Sequence, residues 1–528
     1  MKSIEIPYEK DRVKKYRFFE ILPGALSWLM LLLPLLLSLV NVTLATFFIL
    51  GYILIYFTRG VAVAIRALGG YRTMREHERI DWNELIEEVK SGAVTNAHRP
   101  KWHRDNLARL AIKPAVVNPD DIVHAVIIAT YNEVREVVEP TIKSLVNAEY
   151  DVKNKVIFIL AYEERGGAAI AKQSAELIEK YKPYFRDAFL VEHPDGIPGE
   201  VIGKGSNITH AGRKLEEYVL QHNLSPLNVV VTTLDADNRP DKKYLSALSY
   251  LYSVSPDPLR ASYQPLPMFT SNIWDAPAPM RVIATGNNFF YIVLTQRPHL
   301  ERNFSAHAQS LQALIEMDFW SMRTIVEDGH HFWRSYFHFD GDYRVYPLAI
   351  PVYCDAVLAE TYLKTLKAQF IQLRRWTYGA SDIAYVANQT FFKKNKVPKA
   401  DAVGKFLRLL EGHVTWSSGA LILAFAAFIP ALVNPQNIAA NELPLIVSRI
   451  QTIGLVGSLS TLFIALKTLP PRPARYKRHR SIFMLLQWVY LPLTTIAYGA
   501  FAALYSQTRL MFGWYLTKFD VTVKAVKK

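Results

Sequence analysis

Acidic side chains follow apolar, β-branched stretches of the sequence, at the points where buried strands are expected to end. Asp235 and Asp237 come directly after NVVVTTL, while Glu133 and Glu163 follow HAVIIA and VIFILAY. Because the carboxyl ends of parallel strands meet at one edge of a sheet, we expect these carboxylates to share one crevice. Two carboxylates spaced as in Asp-x-Asp can hold a hard divalent cation, although the same pattern is common in capped turns.

Two further groups of polar residues lie downstream. Asp328 stands between a glutamate and a glycine, and Gln372, Arg375 and Trp376 lie within one helix-like stretch. Since residues three and four apart share a helix face, the last three side chains are predicted to project together. The alternatives are an ordinary helix-ending turn at Asp328 and a basic amphipathic helix with a core tryptophan.

The order of these motifs resembles that of the processive-type family 2 glycosyltransferases, such as cellulose and hyaluronan synthases. The matched motifs run from Thr130 to Trp376, and the residues Phe519 to Lys524 are similar to the Phe-x-Val-Thr-x-Lys gating motif of cellulose synthases. In those enzymes the gating motif precedes a final helix, whereas here it is the last motif of the sequence. Glu163 stands where the family usually has aspartate, which keeps the charge and lengthens the reach.

The resemblance implies a GT-A fold, a donor sugar linked to UDP, and transfer with inversion at the anomeric carbon. It assigns Asp237 to Mg²⁺ or Mn²⁺ and Asp328 to the general base that removes the proton of the acceptor hydroxyl. It implies that Arg375 and Gln372 stabilise the charge of the departing diphosphate and that Trp376 stacks on an acceptor sugar. The residues implied in donor binding are Thr130, Tyr131, Glu133, Glu163, Lys204 and Asp235, with Thr522 and Lys524 as further contacts from the tail.

These side chains need a scaffold, and the pattern of the sequence predicts an α/β domain that lies between two groups of apolar helices. We expect an N-terminal membrane anchor over residues 1–70, a linker over 71–120, a cytosolic GT-A domain over 121–398, and a membrane-associated segment with a basic tail over 399–528.

Apolar stretches long enough to cross about 30 Å of hydrocarbon occur at both ends. Ala25–Val40 and Thr43–Ile65 are predicted to form a helical pair that leaves the middle domain in the cytosol, since basic residues precede them. Residues 399–413 fit an amphipathic helix at the membrane surface. Three more apolar segments follow at 414–433, 445–466 and 482–505.

Five crossings would leave the basic tail outside the cell, against the distribution of charge. Pro492 lies inside the last apolar segment, so we expect this segment to be broken or re-entrant and to return the tail to the cytosol. The loop 467–480 is rich in lysine and arginine and is predicted to be cytoplasmic.

Composition narrows the class of protein. The chain has 528 residues and a net charge of +14, and half of its residues are hydrophobic. Because the basic residues concentrate beside apolar segments, they are expected to meet lipid headgroups and not nucleic acid. The single cysteine, Cys354, excludes an internal disulfide and fits a reducing compartment.

Three functions remain open at this level. The first is transfer of sugar to a growing polysaccharide, with or without secretion and with accessory secretion subunits left open. The second is addition of one sugar to a lipid or glycolipid. The third is a membrane transporter or scaffold that binds nucleotide sugars without catalysis. The expected partners are a nucleotide-sugar donor, a glycan or lipid-linked acceptor, and membrane lipids.

Overall fold

A mixed eight-stranded sheet forms the centre of the protein. The computed structural model describes residues 4–522, 524 and 525, except for the side chains of residues 455, 456 and 458. The spatial order of the strands is β3-β2-β1-β4-β7-β6-β8-β5. The strands are β1 (Val123–Thr130), β2 (Val156–Glu163), β3 (Asp187–His193), β4 (Val229–Asp235), β5 (Arg239–Pro240), β6 (Ala261–Phe269), β7 (Ala308–Ser310) and β8 (Arg344–Cys354).

The four strands β3, β2, β1 and β4 are parallel, as their apolar, β-branched sequences predict. Ala129 pairs with Asp235 and Thr130 pairs with Tyr162, so the carboxyl ends of β1, β2 and β4 lie at one level. Short β7 pairs antiparallel with both β4 and β6 and joins this half to the second half of the sheet. The predicted α/β class is therefore confirmed, and the predicted polar ends meet at one edge.

Helices cover both faces of the sheet and extend beyond it. Ile127 and Ile159 are fully buried in one layer, and Ile128 and Leu160 are buried in the other. We call the sheet with helices α3 to α14 the sheet domain. The helices are α1 (Lys14–Val40), α2 (Val42–His77), α3 (Trp82–Ser91), α4 (Lys101–Ile112), α5 (Arg135–Val146), α6 (Val152–Lys155), α7 (Ala168–Tyr181), α8 (Lys204–Gln221), α9 (Tyr244–Val254), α10 (Ala278–Leu294), α11 (Leu311–Glu316), α12 (Glu327–His338), α13 (Tyr362–Thr377), α14 (Asp382–Ala387), α15 (Lys399–Phe425), α16 (Ile429–Val433), α17 (Ile438–Thr468), α18 (Arg480–Leu486), α19 (Leu491–Thr494) and α20 (Phe501–Phe512).

The segment 71–120, predicted as a linker, is instead part of the folded domain. It contains the end of α2 together with α3 and α4. Trp82 is buried, and the buried imidazole of His103 is hydrogen bonded to the Tyr250 hydroxyl and to Glu88, both at 2.8 Å. Both helices are short and mostly polar in composition, which explains the difference.

Among the described residues, five helical runs are long and apolar enough to cross a membrane. They are Lys14–Val40, Val42–His77, Lys399–Val433, Ile438–Thr468 and Arg480–Phe512. The stretch 399–413, predicted as a separate surface helix, is continuous with the apolar stretch after it within α15.

The last of these runs begins and ends against the sheet domain. At its start, Arg480 donates to the Trp274 carbonyl at 3.4 Å. Near its end, the Ser506 hydroxyl donates to the Arg374 carbonyl at 2.7 Å. Single turns of 3₁₀ and π geometry interrupt it around Pro492. A run whose two ends contact one domain fits the predicted break.

A buried carboxylate ties the two ends of the chain together. Glu20 in α1 accepts from Arg12 at 2.9 Å, from Arg17 at 3.0 Å and from the Tyr515 hydroxyl at 2.8 Å. Arg17 also donates to the Leu510 carbonyl at 2.7 Å, at the end of α20. Basic donors satisfy the free carbonyls of a helix end in this way. The segment after α20 therefore leaves in a fixed direction, toward the sheet domain.

Close packing of α2 against α10 depends on a glycine, and Gly70→Ala is expected to lower the thermal unfolding midpoint in detergent by several degrees. A Cβ at Gly70 would lie 2.1 Å from the Ile292 carbonyl oxygen. Overpacking of this kind costs about 1–3 kcal/mol.

Gly60→Ala in the same helix is the matched control, because no atom lies within 4 Å of its added Cβ. It is expected to leave the midpoint unchanged or to raise it, since alanine favours helix by about 1 kcal/mol over glycine. Equal midpoints for the two variants would contradict the packing argument.

Candidate active site

The loop after β1 is organised by Glu133. Its Oε2 accepts hydrogen bonds from the Thr130 hydroxyl at 2.9 Å and from the backbone N–H groups of Tyr131 at 2.8 Å and Asn132 at 3.2 Å. The side chain predicted to contact a nucleoside therefore also fixes the loop. This leaves the Tyr131 ring to present a flat face, on which the Arg165 guanidinium stacks at 3.9 Å.

Glu163, at the end of β2, is neutralised by cationic neighbours. Arg165 donates to it at 2.8 Å, and His193 lies 3.6 Å away. Burial would raise the pKa of Glu163, but His193 and Arg165 outweigh it and lower the pKa. Glu163 thus lies at the predicted edge, and its charge is balanced by these two side chains.

Asp235, at the end of β4, pairs with Lys204 at the start of α8. The Lys204 ammonium lies 2.6 Å from Asp235 Oδ1. Burial alone would lower the pKa of Lys204, but the charges of Asp235, Glu327 and Asp328 raise it. Conversely, Lys204 and Lys524 lower the pKa of Asp235 against the effect of burial. Lys204 is thus a fixed cation facing three carboxyl groups.

Asp237, two residues further on, holds the tail of the chain. Lys524 Nζ lies 2.5 Å from Asp237 Oδ1, and the Asp355 backbone N–H donates to Oδ2 at 3.2 Å. Burial would lower the pKa of Lys524, but Asp237, Glu133 and Asp235 raise it. An ammonium group therefore stands at the position predicted for a divalent cation.

Glu327 and Asp328 form the first turn of α12, so the alternative of a helix-ending turn is wrong. The Gly329 N–H donates to Asp328 Oδ1 at 2.7 Å. Burial raises the pKa of both carboxyl groups, and the charge of Lys204 opposes the rise. Glu327 is the more buried of the two. We therefore assign the negative charge to Asp328, whose carboxylate is stabilised by a helix N-terminus.

Helix α13 closes another wall of the site. The Arg375 guanidinium lies 3.7 Å from the Phe519 ring centroid, and one of its terminal nitrogens is buried without a hydrogen-bond partner in the described structure. Burial lowers the pKa of Arg375, and the charges of Glu327, Asp235 and Asp328 oppose this. Arg375 thus faces the same carboxyl groups as Lys204.

The other residues of this motif have separate contacts. Gln372 Oε1 accepts from Gln369 at 3.1 Å, and the Trp376 ring lies 5.9 Å from that of Phe269. Arg374, between them, forms an ion pair with Asp520 in the tail. Its partner lies far along the sequence, which the helical offset alone does not reveal.

The tail runs over the site as an extended segment. The Phe519 N–H donates to the Ile202 carbonyl at 2.9 Å, and the Ala525 N–H donates to the Leu358 carbonyl at 2.9 Å. A Cβ on Gly203 would lie 2.9 Å from the Phe519 Cβ, so a larger residue there would push the tail away. Thr522 is buried, and its hydroxyl lacks a hydrogen-bond partner among the described residues. Val523 lies outside the described residues.

Several residues of the site carried no motif in the sequence. The ring of Tyr291 in α10 is tilted against that of Phe269, with centroids 6.4 Å apart, and packs edge to face against that of Phe304, with centroids 5.1 Å apart. Burial raises the pKa of Tyr291, and the largest charge effect on it comes from Asp328. The aromatic side chains around Trp376 therefore extend toward the proposed base.

The loop 304–308 lies beside the Asp-x-Asp motif. Asn238 Nδ2 donates to the Ser305 hydroxyl at 2.7 Å. Two buried histidines of α12 lie in the same region: His330 is hydrogen bonded to Asp382 at 2.7 Å, and His331 to Gln309 at 2.5 Å.

The donor set at Asp235 and Asp237 fits a hard cation. Both offer carboxylate oxygens, and the ammonium of Lys524 already takes a cationic position at Asp237. Within the described residues, no three His, Cys, Asp or Glu side chains form a group that could hold a metal ion. The remaining ligands would therefore come from a diphosphate and water.

Lys524→Met is expected to tighten binding of Mn²⁺ to the purified protein without donor by about tenfold, because a competing charge-assisted contact is removed. Electron paramagnetic resonance of free Mn²⁺ measures the affinity. Lys518→Met, an exposed position of the same tail, is the control and should bind Mn²⁺ as the wild type does. An unchanged affinity in Lys524→Met would refute a cation site at Asp237.

No family model matches the chain, and no curated protein is a significant match to its sequence. Solved structures do match. The mannosyltransferase PcManGT from Pyrobaculum calidifontis, in complex with GDP-Man and Mn²⁺, has a TM-score of 0.43 and 15% identity over 85% of this chain and 99% of that chain.

Residues 1–349 of S. aureus TarS, in complex with UDP-GlcNAc, have a TM-score of 0.32 and 10% identity over 74% of this chain and 92% of that chain. GalNAc-T7 with UDP, GalNAc and Mn²⁺ has a TM-score of 0.30 and 11% identity, over 58% of each chain. The chain is thus similar to solved enzymes in complex with nucleotides or nucleotide sugars. The sequence identities and TM-scores are too low to transfer residue roles to this chain.

Proposed function

We propose that the chain is a membrane-bound inverting glycosyltransferase that transfers a sugar from a UDP-linked donor to a growing polysaccharide. One observation carries the proposal. Lys204, Asp235, Asp328 and Arg375 come from four separate elements at the carboxyl edge of the parallel strands; Lys204 pairs with Asp235 at 2.6 Å, and Lys204 and Arg375 each act electrostatically on both Asp235 and Asp328. Such a crevice can bind a diphosphate through its two fixed cations, and one of its own carboxylates can act as the base.

The donor is placed by the loops after β1, β2 and β4. Tyr131 and Glu163 lie where a nucleoside would rest, and Lys204 and Arg375 supply positive charge for the diphosphate. Asp237, with Asp235, would hold Mg²⁺ or Mn²⁺, which neutralises a diphosphate when bound. Lys524 must leave Asp237 for this, so the tail has to shift when the donor enters. The tail resembles a gating motif, and its contacts fit that role.

Transfer needs one base and one leaving group. Asp328 takes the proton of the acceptor hydroxyl as its oxygen bonds to the anomeric carbon. The bond from that carbon to the phosphate oxygen breaks on the opposite face, and the nucleoside diphosphate leaves with the electron pair. Lys204 and Arg375 stabilise its charge. The configuration at the anomeric carbon is inverted, since a single displacement occurs.

The acceptor enters beside Trp376. Its ring, together with Phe269 and Tyr291, offers flat apolar faces near Asp328, and sugar rings pack against such faces. We place this site on the cytosolic side, where the basic loop 467–480 also lies. The run Arg480–Phe512 is then re-entrant and leaves the membrane on the side from which it enters, so both ends of the chain stay cytosolic.

The proposed reaction is tested by incubating the purified protein with a panel of nucleotide sugars and following the released nucleoside diphosphate. Asp328→Asn is expected to keep donor binding while transfer falls by about 10²–10⁴-fold, as loss of a general base does. Asp318→Asn, an exposed position, is the matched control and should transfer normally.

An active Asp328→Asn would refute the mechanism, and activity in excess EDTA would refute metal use. No turnover of any donor by the wild type would leave a transporter or scaffold as the better account. Product length on a labelled donor separates polysaccharide synthesis from addition of one sugar.

The pH dependence of kcat/KM should show an acid limb above the ordinary range of an aspartate, because burial raises the pKa of Asp328. The base works only when ionised, so activity falls as the pH drops through that raised value. Lys204→Met should move the limb to higher pH, since the charge of Lys204 lowers the pKa of Asp328. A limb that stays in place would show that another group titrates.

A further inference from the structure

Three elements meet beside the site, at the boundary between the sheet domain and the apolar helices. They are the second half of α2, residues 295–299 after α10, and the polar half of α15. Gln296 Nε2 donates to the Thr73 hydroxyl at 3.2 Å, which joins the first two. The Arg59 guanidinium lies 2.5 Å from Glu411, which joins α2 to α15.

Each element contributes basic side chains to this junction. Arg59 and Arg66 are seven residues apart and share a face of α2, and Arg408 and Glu411 are three residues apart and share a face of α15. The Arg59–Glu411 contact therefore places Arg66 and Arg408 on the two faces that meet. Arg297 comes from the loop after α10. We call Arg66, Arg297 and Arg408 the arginine cluster.

The arginine cluster has little compensating charge, since Asp401, the carboxylate that interacts with Arg408, is already paired with Lys405. Arg59 is paired with Glu411 and Lys405 with Asp401. By contrast, the part of the chain that the structure describes gives no ion pair to any member of the cluster. Burial lowers the pKa of Arg297, and Arg66, Arg408 and Arg59 lower it further by repulsion. An anion bound among the three guanidinium groups would relieve this repulsion.

Glu301 is the buried carboxyl group nearest to Arg297 in the sequence, and it does not supply a negative charge to the arginine cluster. Burial raises the pKa of Glu301 to about 8, so this side chain is neutral at neutral pH. Arg302, the next residue, lies 4.5 Å from the Trp333 ring centroid and adds positive charge to the same side. The excess of positive charge is therefore built into the junction.

Apolar side chains next to the cluster face outward. Ile65 is 67% exposed, Leu407 is 55% exposed and Phe290 is 50% exposed. A guanidinium group beside exposed aliphatic side chains suits a phosphate at a lipid surface, because the chain of the lipid can lie along them. A soluble phosphate would leave them in water.

The cluster lies within reach of the reacting atoms. Arg297 follows Tyr291 by six residues, so their Cα atoms lie at most roughly 20 Å apart. Tyr291 lies close enough to Asp328 for the charge of the latter to act on it. A phosphate on the cluster would thus be separated from Asp328 by a length suited to sugar residues.

We infer that Arg66, Arg297 and Arg408 bind the phosphate of a lipid-phosphate-linked glycan, which is the acceptor whose hydroxyl reaches Asp328. This inference rests on the proposed glycosyl transfer and names its acceptor class. The lipid lies along the apolar faces of α2 and α15, and the glycan lies over Phe290 and Tyr291.

The test measures binding of farnesyl phosphate to the full-length protein in phosphatidylcholine nanodiscs, by calorimetry. Arg66→Gln, Arg297→Gln and Arg408→Gln are each expected to weaken binding about tenfold, since each removes a charge-assisted contact. Arg297→Lys should retain part of the affinity. Arg344→Gln, an exposed arginine of the sheet domain, is the matched control and should bind as the wild type does.

Three arms identify the ligand. Farnesol should bind weakly, and inorganic phosphate should not compete at equal concentration. Phosphatidylglycerol added to the nanodiscs should displace farnesyl phosphate only in large excess. Equal binding of farnesol, equal competition by inorganic phosphate or by phosphatidylglycerol, or normal binding by all three glutamine variants would each overturn the inference.

Binding of UDP, measured on the same samples, distinguishes a failure of the proposed glycosyl transfer from a failure of the inferred acceptor site. The cluster variants are expected to bind UDP normally, which also shows that they are folded. Failure of the wild type to bind UDP would contradict the proposed function, whereas loss of UDP binding in the variants alone would contradict a separate acceptor site.

Discussion

The balance of charge at the carboxyl edge of the sheet is the constraint on which the site depends. β1, β2 and β4 end at one level, which places Glu163, Asp235 and Asp237 along one edge of the sheet. Each is held by its own cation: Arg165, Lys204 and Lys524 respectively. Unpaired carboxylates would take up protons at this density of charge. The pairs keep the crevice ionised, and two of the three cations come from loops or the tail.

The strand ends and the helical face of α13 were predictable from sequence, because buried parallel strands and helical spacing leave strong patterns. Asp235, Asp237 and Arg375 lie at the predicted edge or wall for this reason. Partners distant in the chain were not predictable, since no local pattern links Arg374 to Asp520 or Lys524 to Asp237. Segment 71–120 was mistaken for a linker because its few buried residues, such as Trp82 and His103, are surrounded by polar ones.

Polar contacts also fix how the apolar helices meet. Within the helices, the Ser417 hydroxyl donates to Ser27 at 2.6 Å, Ser27 donates to Gln507 at 2.6 Å, and Gln507 donates to the His413 carbonyl at 2.9 Å. These buried bonds join α1, α15 and α20 where apolar packing alone gives little specificity in lipid. Through α13, which contacts α20, the same helices support the wall that carries Arg375.

Glu20 and Tyr515 join segments that lie 495 residues apart in the sequence. Residues 514–522, 524 and 525 are synthesised after the groups that they contact, which include the Ile202 carbonyl, Arg375 and Asp237. A chain whose sheet has already folded therefore still exposes its acidic crevice to solvent until these residues dock. Their docking covers the crevice, so the folded protein differs from its folding intermediates in access to the crevice.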